Sequence, residues 1–315
     1  MTRVTAVLFL VLSCTVCFAQ TKSVAITIDD LPYSGLGQKA SDVKQAHQDI
    51  AKILATLKAH NVPVVGFVNE IYLNVDGQRD MRVALLKQWL DGGVELGNHT
   101  FSHVNINKVP EWQAEDEVVK GEVITQTLMK EHGKQERYFR HPYLRTGATL
   151  DQKHQFEAFL KSRGYTVVPV TTENLDWAFD TARHEALKEG DQQAVQKVVD
   201  GYLAQTAASL EYYEKLTNAV FGRNIPYIML MHSSQLNALM LDKVLSIFEE
   251  HGYKFVTVEE ALKDPAYQTP DNYAGDDGKI WQDRWALSLG KNPNVGPRES
   301  PTWMWDLYDK AVAKN

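Results

Sequence analysis

The chain has 315 residues, 44% of them hydrophobic and 23% charged, with a formal net charge of −7. That length and balance exclude a disordered protein and allow one large α/β domain or two ordinary ones. The negative charge argues against nucleic acid or an anionic membrane surface as a main partner.

The first segment, "MTRVTAVLFLVLSCTVCFAQ", has a single charge at Arg3, an apolar run from Val4 to Val16, and small residues at Cys17 and Ala19. Small residues at −3 and −1 fit cleavage after Ala19. The apolar run is short for a membrane span. Residues 1–19 therefore read as a signal peptide, with export to the periplasm or beyond and no stable membrane insertion. Cys14 and Cys17 both lie inside it, so the mature chain would have no disulfide, no thiol nucleophile and no thiolate ligand. Loss of Arg3 takes the charge from −7 to −8.

Beyond it, short β-rich runs alternate with helical patterns. Strands are expected at Val24–Ile28, Val64–Val68, Val94–Gly97, Tyr138–Arg140, Thr166–Val170, Tyr227–Met231 and Lys254–Val258. "VAITI" and "YIMLM" are apolar enough to be buried on both faces. Helices are expected at Ser41–His60, Asp80–Asp91, Glu111–His132, Leu150–Arg163, Gln192–Leu216 and Gln235–His251. Ser41 would cap the first, and Gly133, Gly164 and Gly252 would end three others. Such alternation implies a parallel sheet, as a barrel or a doubly wound sheet, over residues 20–264. The stretch Ala178–Arg223 exceeds a plain loop, and its "GYLAQTAASLEYYEKL" reads as an amphipathic helix that either shapes the substrate cleft or, the favoured reading, elaborates a barrel helix. After Leu262 the rhythm stops. Residues 265–315 form a loop-rich extension ending in a helix near Pro301–Lys314. It holds Trp281, Trp285, Trp303 and Trp305, four of the seven tryptophans, expected to pack on the barrel rather than to stack on sugars.

In parallel α/β folds chemistry gathers at the carboxyl ends of strands. The first strand ends in Asp29-Asp30, a carboxylate pair that is costly unless paired or metal-bound. The third ends in "GNHTFSH". His99 and His103 are four apart, one helical turn, so both imidazoles could face one point. Asp30, His99 and His103 would make a two-histidine, one-carboxylate site suited to Zn²⁺, with Co²⁺, Ni²⁺ or Mn²⁺ as alternatives. The fourth ends in "FRHPY": Arg140 could hold a carboxylate by a forked hydrogen bond, Pro142 would set the loop path, and His141 is expected to point elsewhere. The fifth is followed by Asp176-Trp177 and the sixth ends at His232. A buried Asp beside a His raises its pKa and makes it a competent general acid. Ser233-Ser234 lacks the Gly-x-Ser-x-Gly elbow of a serine hydrolase.

Asp29-Asp30, His99-Thr-Phe-Ser-His103, Arg140-His-Pro-Tyr143, Asp176-Trp177 and Leu230-Met-His232, in this order, resemble the five motifs of the polysaccharide deacetylases, the NodB-homology group of carbohydrate esterase family 4. The resemblance spans about Val24 to Ala261. It implies a distorted (β/α)7 barrel that hydrolyses N- or O-acetyl groups of a glycan such as chitooligosaccharide, peptidoglycan or xylan. It further implies Asp30, His99 and His103 as metal ligands, Asp29 as the base that deprotonates the attacking water, and Arg140 as its tuner. The Tyr143 backbone N–H would help hold the oxyanion, His232 supported by Asp176 would be the acid, and Leu230, Trp177 and Pro142 would lie at the substrate. The chain departs from the family pattern at Ile28, Glu173 and Ser233-Ser234, which touches the pocket wall and leaves every catalytic group in place. Two other readings compete: a metal-dependent hydrolase of a small non-glycan amide on the same site, and an inactive wall-binding module using the aromatic tail.

Overall fold

The run from Val24 to Asp29 is buried throughout and forms the centre of strand β1, Ser23–Leu31, in a computed structural model that describes residues 22–313. The segment read as a signal peptide lies outside the described residues. The other strands are β2 (Val64–Val68), β3 (Glu95–Asn98), β4 (Tyr138–Phe139), β5 (Thr166–Val167), β6 (Thr172–Glu173), β7 (Tyr227–His232) and β8 (Lys254–Phe255). Every pairing is parallel, in the order β5-β4-β3-β2-β1-β7-β6, with β8 joined to the start of β1. The sheet curls into a half-barrel with helices outside it, the distorted (β/α)7 form.

The expected strand Thr166–Val170 is split. Pro169 has no N–H for a ladder, so β5 stops at Val167 and the chain resumes as β6. The first half serves β4, with Val168 N donating to Phe139 O at 2.9 Å. The second serves β7, with Thr171 N donating to Ile228 O at 3.0 Å. One extended run thus bridges the two ends of the sheet.

The helices are α1 (Ala40–Ala59), α2 (Arg79–Asp91), α3 (Glu111–Lys120), α4 (Val123–Glu131), α5 (Leu150–Ser162), α6 (Asp176–Lys188), α7 (Gln192–Phe221), α8 (Gln235–Glu250), α9 (Val258–Ala261), α10 (Trp281–Ser288) and α11 (Thr302–Val312). Ser41 does not cap α1: Lys39 stands at the cap and its N–H donates to Asp42 Oδ2 at 3.0 Å. The expected helix Glu111–His132 breaks at Gly121, where a Cβ would meet Phe101 N at 2.8 Å. The close approach lets Phe101 N donate to Glu117 O at 2.8 Å. Helix α6 has no counterpart in the sequence reading. It starts after a left-handed Leu175, φ 61°, with no side-chain cap to announce it. Val258, expected to end a strand, opens α9 behind the capping Thr257 instead.

The tail completes the barrel. Trp281 N and Gln282 Nε2 donate to Val170 O and Thr171 O, at 3.0 and 2.6 Å, across the split in the β5–β6 run. Trp285 is buried against Phe221 and Tyr267, with ring centroids at 5.6 and 5.4 Å. Helix α11 packs on α6, with Trp305 against Trp177 and Trp303 against Phe179 at ring-centroid distances of 5.8 and 6.4 Å. Truncating a buried tryptophan costs about 3–5 kcal/mol. Trp285→Ala should therefore lower the urea midpoint of the whole domain. A tail that melts on its own, leaving the barrel midpoint unchanged, would contradict this packing.

Candidate active site

The carboxyl ends of β1, β3, β4 and β7, with the loops that follow them, converge on one pocket of about 810 Å³, lined by Asp29, Asp30, His99, His103, Tyr143 and His232 among others. Buried Asn residues at two strand ends tie the loop that brings its histidines in. Asn69, after β2, donates Nδ2 to His99 O and Thr100 O at 2.6 and 3.1 Å. Asn98 Oδ1 accepts from Thr100 N at 2.8 Å. Glu117 of α3 accepts from Ser102 N and Oγ at 2.7 and 2.9 Å.

These ties replace the helical turn that the His-x-x-x-His spacing suggested. Residues 99–103 are loop, and left-handed Thr100 and His103, φ 65° and 56°, turn the two rings to a centroid separation of 4.8 Å. Asp30 is left-handed too, φ 61°. Strain of this kind gathers where a site must be held in one geometry.

Asp30, His99 and His103 each present a ligand atom, and all three lie within 4.8 Å of one another. His99 Nδ1 lies 2.7 Å from Arg140 O. A carbonyl only accepts, so Nδ1 carries the proton and Nε2 presents its lone pair to the pocket. Burial, then the neighbouring His103, hold His99 far below the usual histidine range, and burial lowers His103 despite Asp30. Both rings are thus neutral. Their Nε2 atoms each sit 3.7 Å from Asp30 Oδ1, too long for hydrogen bonds and close to the spacing of neighbouring ligands on one small cation. Asp30 Oδ1 is buried with no hydrogen-bond partner among the described residues. An orphaned carboxylate oxygen facing two neutral nitrogens is a donor set that fits a divalent ion of the zinc type.

Asp29 is 3% exposed, and its Oδ1 also lacks a hydrogen-bond partner. Burial pushes its pKa up to about 6, with Arg140 opposing. The forked Arg140–carboxylate bond expected from sequence is absent. One nitrogen, Nη1, reaches Asp29 Oδ2 at 3.4 Å, while Nε and Nη2 donate to Val168 O and Thr27 Oγ1, both at 3.0 Å. The fork is divided between two side chains of β1 and the backbone just after β5 instead of gripping one carboxylate.

His232 Nδ1 lies 2.8 Å from Asp176 Oδ1, and His232 N donates to Asp176 Oδ2 at 2.6 Å. Asn237 of α8 donates Nδ2 to the same Oδ2 at 2.6 Å and to His232 O at 2.8 Å. Burial alone would lower the imidazole, but Asp176 outweighs it and pushes His232 up to about 10. Burial likewise works against the Asp176 carboxylate, and the contacts to His232 still hold it below its usual value.

Trp177 and Leu230 line the pocket, whereas Pro142 is buried at the start of the short turn Pro142–Leu144 and is not part of the lining. Its fixed φ shapes the turn that presents Tyr143. His141, expected to face away, does reach the lining, packed edge-on against Phe139 at 5.0 Å. Sequence reasoning missed Asn69, Asn98 and Asn237. The signal for Asn237 was a polar residue on the buried face of α8, beside Leu236 and Leu241.

The ligand geometry predicts one tight Zn²⁺ per chain by calorimetry on chelator-stripped protein. His103→Ala and Asp30→Ala should each weaken it by at least about 100-fold, because each removes one of three protein ligands. Unchanged affinity in either variant would remove that residue from the ligand set.

A family model described as polysaccharide deacetylase matches residues 19–167, just under half of the chain. A peptidoglycan N-acetylglucosamine deacetylase of Bacillus cereus is 25% identical over 213 residues, 66% of this chain, and the alignment spans 61% of that relative's own length. The chitin deacetylase of Colletotrichum lindemuthianum shares the fold at a TM-score of 0.52 and 20% identity, covering 78% of this chain and 91% of that one. A family 4 carbohydrate esterase pseudoenzyme from Bacillus anthracis does so at 0.51 and 18%, covering 78% and 66%. The matched segment carries the Asp29-Asp30, His99–His103 and Arg140–Tyr143 motifs, so in this segment and in its half-barrel fold the chain is similar to the polysaccharide deacetylases.

Proposed function

We propose that this chain is an exported, metal-dependent deacetylase that removes acetyl groups, N-linked before O-linked, from a glycan. The observation that carries the reading is the His99 ring locked by Arg140 O, its Nε2 facing His103 and Asp30 beside an unpartnered Asp29 oxygen. The names of the relatives point to acetylated amino sugars of peptidoglycan or chitin as the first substrates to offer. Xylan acetyl esters are the alternative glycan class.

Asp30, His99 and His103 would hold the cation, Zn²⁺ before Co²⁺, Ni²⁺ or Mn²⁺. Such an ion supplies Lewis-acid polarisation of the acyl group and acidifies water. Asp29 takes the proton of the attacking water at its free Oδ1. With its pKa pushed to about 6 by burial, Asp29 is a carboxylate at neutral pH, yet basic enough to accept that proton. The Tyr143 N–H lies in the first turn of its short helix, where no intrahelical acceptor exists, and is free to donate to the developing oxyanion. His232 starts protonated and delivers a proton from Nε2 to the leaving amine or alkoxide, while Asp176 and Asn237 fix the ring. Base and acid begin in opposite protonation states because one is a buried carboxylate and the other is paired with one. Leu230 and Trp177 form the apolar wall for the acetyl methyl, and the exposed faces of Tyr143 and Trp177 suit a sugar ring.

Acetate release from N-acetylchitooligosaccharides, peptidoglycan fragments, acetylxylan and small acetamides tests the reading. Turnover of a glycan is expected; turnover of small amides alone would replace glycan by a non-sugar substrate. The pH dependence follows from the pair. Activity should rise as Asp29 ionises near pH 6 and fall as His232 loses its proton near pH 10. In Asp176→Asn the strongest influence opposing burial at His232 is lost and only the Asp30 and Asp29 charges still raise it, so the basic limb should move down by at least about two pH units toward the ordinary histidine value. A basic limb that stays in place would remove His232 from the acid role.

A further inference from the structure

Tyr143 and Leu144 both hold left-handed φ, 56° and 54°. Residues with a Cβ resist that conformation, and the turn is only three residues long. Something outside it must hold it. The restraint comes from the C-terminal extension. Arg284 of α10 is fully buried, and its Nη2 donates to Leu144 O. Its Nη1 donates to Thr146 Oγ1 at 2.8 Å and to Asp271 Oδ2 at 3.2 Å, and Nε donates to Lys279 O at 2.8 Å. The guanidinium lies over the Trp281 ring at 4.2 Å. Asp271 is held in turn by Lys153 of α5 at 2.6 Å.

Two further ties run beside this one. Arg145 Nε donates to Asp276 O at 2.7 Å, and Gly275 N to Gly147 O at 3.0 Å. Gly278 lies so close that a Cβ there would overlap the Tyr143 carbonyl. The extension thus meets the carbonyls of both left-handed residues, Tyr143 and Leu144. The family match ends at residue 167, far short of Arg284.

We propose that Arg284 is a positioning residue for deacetylation: by gripping Leu144 O and Thr146 it fixes the Tyr143–Leu144 turn and so aims the Tyr143 N–H at the oxyanion. This rests on the deacetylase reading above. A planar fork is required because the acceptors belong to separate segments in different directions; an ammonium cannot serve them all.

The test compares Arg284→Met, Arg284→Lys and Thr146→Val with wild type. It reads kcat and KM for acetate release, zinc affinity by calorimetry, and amide hydrogen exchange in the segment 142–147. A donor displaced from the oxyanion lowers kcat without weakening ground-state binding. The expected result for Arg284→Met is a kcat loss of about 10–100-fold, KM and zinc affinity within about twofold, and faster exchange confined to the turn. Lys should restore part of kcat. If Arg284→Met does not fold, the isosteric Thr146→Val decides by the same readouts, with a kcat loss of roughly threefold to tenfold. Folded variants with native kcat, or with KM and zinc affinity weakened as much as kcat, overturn the proposal while wild-type acetate release leaves the deacetylase reading standing. A wild type that binds zinc and releases no acetate overturns both.

Discussion

Arg140 is the residue on which the site depends. Its backbone carbonyl fixes the His99 tautomer, and its guanidinium reaches Asp29, Thr27 and Val168. One fully buried residue therefore orients His99, the proposed metal ligand, with its main chain and Asp29, the proposed base, with its side chain. Burying a guanidinium costs several kcal/mol unless its donors are satisfied. Here a carboxylate, a carbonyl, a hydroxyl and the Phe67 ring at 4.7 Å offset that cost. The single long bond to Asp29 has a chemical consequence. A forked pair would have depressed the carboxylate, whereas one contact at 3.4 Å lets burial prevail and leaves a base near neutrality.

The second constraint is backbone strain. Asp30, Thr100, His103, Tyr143, Leu144 and Leu175 all hold left-handed φ, and each lies at or next to the strand ends that build the pocket. Thr100, His103, Tyr143 and Leu144 lie in segments that neighbouring side chains tie down. Asn69 and Asn98 tie the histidine loop, Glu117 ties Ser102, and Arg284 ties the turn of Tyr143. The barrel and its C-terminal extension therefore act as one scaffold, with the extension covering the split β5–β6 run and reaching the pocket rim through Lys279, Arg298 and Tyr308.

Much of this was legible in the chain before any coordinates. Buried runs such as "VAITI" and "YIMLM" show their strands because both faces are apolar, and strand ends then mark where the chemistry lies. The convergence of Asp29, Asp30, His99, His103 and His232 on one pocket follows from that logic. What was illegible depended on tertiary ties. Residues 99–103 have helical spacing but form a loop, because Asn69 and Asn98 claim its backbone. Helix α6 starts from a left-handed leucine with no cap residue. Pro169 split a strand that composition alone made continuous. Arg140 carries a fork that suits a carboxylate, and only the fold reveals that Thr27 and Val168 claim most of it.

Under the proposed function, Asp30, His99 and His103 together hold one ion, and deacetylation depends on it. The most direct test is to titrate chelator-stripped protein with zinc while following acetate release from an N-acetylchitooligosaccharide. Release should climb linearly and break at one equivalent of zinc per chain. Full release before any zinc is added, or none at any ratio on any acetylated glycan, would contradict it.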